Sequence, residues 1–220
     1  MSARVQGLRR EIVACGRAFH ARDFCPATSG NISARLDARR ILITPTGVSK
    51  GALRPADLVV VTTEGRKLSG RRNPTSEMDM HLLVYRLRPD AGAVVHAHPP
   101  TATSFACAGL PLAAPIASEF AMTVGKVPLA PYGTPGTRRL AASLSRLVLG
   151  HTAILLANHG VVAFGGDIAE ARGRMEMVEH FAKVLLGTLK LGRQSVLPAR
   201  ELKRLHAAAR RYVARAESGR

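Results

Sequence analysis

Three histidines and one glutamate hold most of the chemistry that residue type and spacing suggest. His96 and His98 flank Ala97 at the end of the apolar run 93–98. If that run is a strand, side chains at i and i+2 point to one face, so both imidazoles can reach one ion. Neutral imidazole is a common ligand for zinc and similar divalent metals. His159 is the natural third ligand, because Asn158-His159-Gly160 projects it from a tight turn between the apolar runs 153–157 and 161–164. Three histidines leave a coordination position open for substrate oxygens. A lone His-x-His pair also occurs in ordinary packing, so the pair by itself decides nothing.

Glu77 follows Pro74-Thr75-Ser76 at a predicted helix start, in a chain poor in acids. A first-turn glutamate commonly just complements the helix dipole. Beside a metal it would serve as general acid or base. His81, one turn further on, reads as a packed helix residue or, less favoured, as a partner of Glu77. Three loops of small polar residues could cradle a phosphate with backbone N–H groups and hydroxyls: 28–31, 44–47 and 75–76. Each alone is ordinary turn chemistry. His20, His151, His180 and His206 read as surface or packing residues.

The elements that must position these groups follow from periodicity. Val5, Leu8, Ile12, Cys15 and Phe19 form one apolar helical stripe. Residues 26–31 read as a loop, 41–44 and 58–61 as short β-branched strands. A helix is predicted from Ser76 to about Arg86, a strand over 93–98 stopped by Pro99-Pro100, and a short strand over 126–130. A helix over 137–149, a hairpin through 158–160, a long helix capped by Asp167 and a final basic helix over 202–216 complete the pattern. No internal repeat stands out. Interleaved strands and helices suit an α/β or α+β arrangement around one sheet.

Composition narrows the class. With 220 residues and 46% hydrophobic content the chain suits one domain with its own core. Three cysteines make no disulfide scaffold. The N-terminus shows no secretory leader and no run is long enough to span a membrane, which makes a cytoplasmic enzyme the expectation. Thirty-two Lys+Arg against 15 Asp+Glu give a net charge of +17. Aromatics are only 4%, Trp is absent, and no nucleic-acid-binding signature appears. The charge therefore reads as an arginine-rich surface, with a positive field that can attract an anionic substrate.

Joined together, the motifs SGNIS (29–33), LITPTGVSKGAL (42–53), PTSEMDMH (74–81), RPDAGAVVHAHPP (88–100), APYGTPGT (130–137) and ANHGVVAFG (157–165) resemble the class II aldolase/adducin family. They are most similar to the L-fuculose-1-phosphate aldolase type, over roughly residues 5–190. The resemblance implies a three-layer α/β domain, with a central, mainly antiparallel β-sheet flanked by helices. It implies a catalytic domain over 1–192 and a basic helical tail over 193–220 that closes over the site. His96, His98 and His159 would bind one divalent metal, Zn²⁺ first, with Mn²⁺, Co²⁺ or Fe²⁺ as substitutes. Glu77 would be the catalytic acid/base. Asn31, Thr46, Gly47, Thr75 and Ser76 would hold the substrate phosphate. A homotetramer with sites at subunit interfaces is expected, with no membrane and no specific nucleic-acid partner.

Two departures from the pattern touch the reaction. Ala117 stands near where the fuculose aldolases place a tyrosine from the neighbouring subunit, and only Tyr212 in the tail offers a counterpart to their second tyrosine. The sibling 4-epimerases use a neighbour's aspartate in that region, where this chain offers only Glu119, off register. The expected activity is reversible cleavage of a ketose 1-phosphate to dihydroxyacetone phosphate and an aldehyde. The alternatives are a pentulose-5-phosphate 4-epimerase or a methylthioribulose-1-phosphate dehydratase on the same scaffold. A non-enzymatic adducin-like binding module is disfavoured by the three histidines.

Overall fold

The computed structural model describes residues 3–218, with side chains through residue 208. The chain opens with α1 (Ala3–Ala21) and the antiparallel strands β1 (Asn31–Arg35), β2 (Arg40–Ile43), β3 (Val59–Thr62) and β4 (Lys67–Ser69). Then come α2 (Met78–Leu87), β5 (Ala93–Ala97), α3 (Pro100–Cys107) and α4 (Ser118–Thr123). The remainder is β6 (Leu129–Ala130), α5 (Arg138–Leu144), β7 (Ala153–Leu156), β8 (Gly160–Gly165), α6 (Ile168–Lys190) and α7 (Ala199–Ser218). The strands form one eight-stranded sheet in the order β4-β3-β2-β1-β5-β8-β7-β6. All neighbours are antiparallel except β6 and β7.

Strand parity divides the core into two layers. Ile32, Ala34, Leu42, Val60, Val95, Leu155 and Val161 face α1, α3 and α6. Ile41, Ile43, Val59, Val61, Val94, Ile154, Val162 and Phe164 lie in a second cluster with Met80, Val84 and Tyr85 of α2 and Leu140 and Leu144 of α5. Each fully buried large side chain contributes about 1.5–3 kcal/mol by leaving water. The arrangement is the expected three-layer α/β domain. Asp167 caps α6 as the sequence predicts, its carboxylate accepting from Glu170 N at 2.8 Å.

Some elements escape the periodicity. β1 starts inside the predicted loop at Asn31. Its alternation places only Ile32 and Ala34 in the α1 layer, and polar Asn31, Ser33 and Arg35 take the other parity. Pro99 and Pro100 end β5 as predicted, but Pro100 also starts α3, where a first-turn proline loses no hydrogen bond. The strand predicted over 126–130 is only Leu129–Ala130, and the helix predicted to 149 ends at Leu144. α4 is a six-residue helix with one buried side chain, too short to show a stripe. Cys15, Cys25 and Cys107 are all free. Among the described residues, no helix is long and apolar enough to cross a membrane.

Candidate active site

The three histidines converge from two neighbouring strands. His96 is fully buried on β5, paired across the sheet with Asn31 of β1 and Val162 of β8. His98 follows the strand end, and its backbone N–H donates to Phe24 O at 2.8 Å. His159 sits in the β7–β8 turn, where Asn158 adopts φ 55° and His159 N donates to Leu156 O. The ring centroids lie 4.6–5.1 Å apart, and one nitrogen from each ring falls within 4.8 Å of the others. Gly160 is required here: a β-carbon would stand 2.5 Å from the His98 ring and 2.6 Å from Ala97 O.

The electrostatics suit a cation. His96 Nδ1 donates to Val161 O at 2.9 Å, which leaves Nε2 as a buried lone pair without a partner. His159 Nδ1 and Glu77 Oε1 are also buried without partners. Burial and the neighbouring His96 lower the His98 pKa to about 3 and the His159 pKa to about 4, so both stay neutral at physiological pH. Neutral imidazoles with orphaned lone pairs beside a carboxylate are the donor set of a divalent metal. The group fits such an ion.

Glu77 is placed at the N-cap of α2, with Oε2 3.3 Å from His96 Nε2 and Oε1 3.4 Å from His159 Nε2. Burial opposes its ionisation. The adjacent His96 and His159 and the hydrogen bond from Asn31 outweigh that and hold the carboxyl below the usual range. Asn31 Nδ2 donates to Glu77 Oε2 at 2.8 Å, and Asn31 Oδ1 lies 2.6 Å from His81 Nε2. His81 Nδ1 in turn lies 2.7 Å from Ser33 Oγ, which is 2.8 Å from Tyr85 OH. The Asn31 side chain is thus already engaged, with one amide proton left over.

The polar loops are tied together beside this cluster. Thr46 N donates to Asn73 O and Thr75 N to Thr44 O, joining 44–46 to 73–75. Thr46, Gly47 and Ser76 are exposed, and Thr75 is buried with its hydroxyl accepting from Glu77 N. Gly47 has φ 70° and nothing within 4 Å of a β-carbon position, so the turn is open. Lys50 is fully buried, and its Nζ donates to Thr28 O and Val48 O, bracing the 28–31 loop against the 44–48 turn. Ser29 Oγ is buried without a partner.

The family model described as "Class II Aldolase and Adducin N-terminal domain" matches residues 10–186. The chain belongs to the class II aldolase and adducin family. The 5-deoxy-D-ribulose 1-phosphate aldolase of Bacillus thuringiensis serovar kurstaki is 35% identical over 202 residues, covering 91% of this chain and 94% of that protein. The 3-oxo-tetronate 4-phosphate decarboxylase of Haemophilus influenzae is 39% identical over 177 residues, covering 79% and 84%. A solved L-fuculose 1-phosphate aldolase superposes with a TM-score of 0.87 at 32% identity, covering 94% of this chain and 97% of that one. The protein is therefore a class II aldolase-superfamily enzyme whose relatives perform more than one reaction.

Other class II features lie elsewhere. Ala117 is the N-cap of α4, and Glu119 is exposed in its first turn, joined among the described residues neither to the histidines nor to Glu77. Leu197 N donates to Pro115 O, and α7 packs on α4, so the tail is anchored on that segment of its own chain. Tyr212 lies outside the described side chains. Lys50, Ser33 and Tyr85 are not singled out by sequence reasoning. The one signal for Ser33 is the Asn31-Ser33-Arg35 polar parity of β1, and a buried lysine leaves no signal at all.

Proposed function

We propose that this class II aldolase-family enzyme catalyses reversible aldol cleavage of a ketose 1-phosphate to dihydroxyacetone phosphate and an aldehyde. The observation that carries the reading is the convergence of His96, His98 and His159 on one point with Glu77 against them. Those three histidines would hold a divalent metal, zinc first, which when bound supplies Lewis acidity to the ketone oxygen. The Thr46, Thr75 and Ser76 hydroxyls, the Gly47 backbone N–H and the free amide proton of Asn31 would hold the phosphate and fix the sugar's orientation. Held geometry of that kind contributes several kcal/mol to the rate.

In cleavage, the substrate's C4 hydroxyl would pass its proton to the ionised Glu77 carboxylate as C4 becomes the aldehyde carbon and the C3–C4 electron pair stays on the ketone half as an enediolate. Glu77 would then deliver that proton to C3, and in synthesis would run the two transfers in reverse. Oε2 is occupied by Asn31, so Oε1 is the oxygen left to face the substrate. Burial of His96 and near-burial of Glu77 keep bulk water from protonating the carbanion out of turn.

One further reading has a specific observation behind it, the 39% identity to a 3-oxo-tetronate 4-phosphate decarboxylase. Loss of CO₂ from that β-keto acid also leaves an enediolate and, after protonation, dihydroxyacetone phosphate. The same residues would serve, and the co-product separates the two: an aldehyde or CO₂. The deciding experiment incubates metal-loaded enzyme with 5-deoxyribulose 1-phosphate, fuculose 1-phosphate and 3-oxo-tetronate 4-phosphate and identifies both products. A homotetramer with sites at subunit interfaces is part of this proposal, and light scattering on the full chain tests it.

A further inference from the structure

The polar chain behind Glu77 runs away from the reacting centre into the apolar layer beneath α2. Asn31, Ser33, His81 and Tyr85 are 4%, 0%, 0% and 4% exposed, surrounded by Met80, Val84, Val94 and Ile43. Leucine or phenylalanine in these places would pack the layer without burying polar atoms, and buried polar groups cost free energy unless each is satisfied. Here every link is satisfied, and only one pattern of donors satisfies them all.

The pattern is fixed from the carboxylate end. Glu77 Oε2 accepts, so Asn31 must present Nδ2 to it and Oδ1 to His81. Oδ1 can only accept, so His81 carries its proton on Nε2. Burial keeps His81 neutral, its pKa lowered to about 3, so Nδ1 is a bare acceptor. Ser33 must therefore give its single hydroxyl proton to Nδ1, and its oxygen then accepts from Tyr85 OH. All donors point the same way: Tyr85 to Ser33, Ser33 to His81, His81 to Asn31, Asn31 to Glu77.

We propose that Tyr85, Ser33 and His81 are positioning residues that lock the Asn31 amide and, through it, aim the Glu77 carboxylate with Oε1 toward the substrate. This rests on Glu77 moving the proton at C3. Without the His81 donor the Asn31 amide is free to flip, which would bring its carbonyl against the carboxylate and turn a bond into a repulsion. Partners that orient an active-site group in this way commonly change activity by about 10–100-fold when lost.

The test uses the full-length metal-loaded enzyme and two readouts. The first is the rate at which dihydroxyacetone phosphate exchanges its C3 proton with D₂O. His81→Leu is expected to lower kcat for exchange by about 10–100-fold, with KM and bound metal unchanged. His81→Gln, whose amide can still donate to Asn31, is expected to recover most of the loss. Wild-type exchange in His81→Leu, or equal losses in both variants, would overturn the proposal. If His81→Leu does not fold, Tyr85→Phe replaces it, with a smaller fall in kcat alone expected and an unchanged rate overturning it. The second readout is the His81 tautomer from long-range proton–nitrogen NMR of the selectively labelled wild type. A proton on Nε2 supports the chain, and one on Nδ1 breaks it. A wild type that exchanges no proton at all counts against the proposed reaction, and the tautomer then decides the donor chain by itself.

Discussion

Asn31 and His96 stand directly opposite each other on β1 and β5, and Glu77 Oε2 lies 2.8 Å from the one side chain and 3.3 Å from the other. Sheet register thus sets the distance between the group that holds the carboxylate and a histidine of the proposed metal site. A slip of one residue in β1 would turn Asn31 to the opposite face and leave Glu77 without its donor. Asn31 and His96 are held by a ladder, which gives Glu77 rigid support, while His98 and His159 lie just beyond strand ends.

Replacing Glu77 with Gln keeps the shape and removes the ionisable oxygen. Turnover is expected to fall by about 10²–10⁴-fold, the usual range for one acid/base group, with metal content retained. Parallel metal analysis and steady-state rates check this, and a near wild-type rate would remove Glu77 from its role.

Removing a ligand separates His159 from His96. His159 lies in a turn, so His159→Ala is expected to abolish metal binding and turnover while the metal-free protein unfolds at nearly the wild-type denaturant midpoint. His96→Ala should also lose metal, and it additionally removes a fully buried ring from β5 and leaves a cavity there. Large-to-small changes at buried positions cost about 2–5 kcal/mol, so its midpoint should fall as well.

Gly160→Ala tests the turn. Its β-carbon meets the His98 ring at 2.5 Å and backbone oxygen at 2.6 Å, so the ring must shift. Overpacking of this kind costs about 1–3 kcal/mol. Reduced metal affinity at intact secondary structure, measured by titration calorimetry and circular dichroism, is the expected result.

Acid should destabilise the metal-free protein through its histidines. Burial lowers the pKa values of His81, His98 and His159 in the folded chain to about 3, 3 and 4 from an ordinary histidine value of 6.5. Between those limits the unfolded chain binds protons that the folded chain does not, so this stability is complete above pH 6.5 and is lost as pH falls toward 3–4. Each such group contributes a slope of about 1.4 kcal/mol per pH unit in that window. Metal binding should weaken over the same range, because the ligating form is the neutral ring. Denaturant titrations in chelator at pH 7 and pH 5 measure the first effect, and a flat profile would refute it.

Much of this is legible in the sequence. His96 and His98 share a strand end, and His159 sits in the turn its Asn-His-Gly context suggests, so the convergence of the three histidines followed from two short patterns. α6 with its Asp167 cap, the β7–β8 hairpin and the α1 stripe followed from periodicity for the same reason: strong local signals that tertiary structure does not override. The support of Glu77 was not legible. Asn31, Ser33, His81 and Tyr85 meet only because β1 lies between β2 and β5 under α2, and sequence separations of 46–52 between partners carry no local signal. Lys50 was hidden for a related reason: its burial depends on two loops closing around it, and lysine is the residue least expected in a core.

The measurement that bears most directly on the account is identification of both products after turnover by the metal-loaded enzyme, with and without chelator. With ¹³C-labelled 5-deoxyribulose 1-phosphate and 3-oxo-tetronate 4-phosphate as substrates, the first is expected to yield dihydroxyacetone phosphate and an aldehyde in equal amounts. Chelator should stop the reaction and added zinc restore it. Dihydroxyacetone phosphate arising only from the second substrate together with CO₂, or cleavage indifferent to chelator, would contradict it.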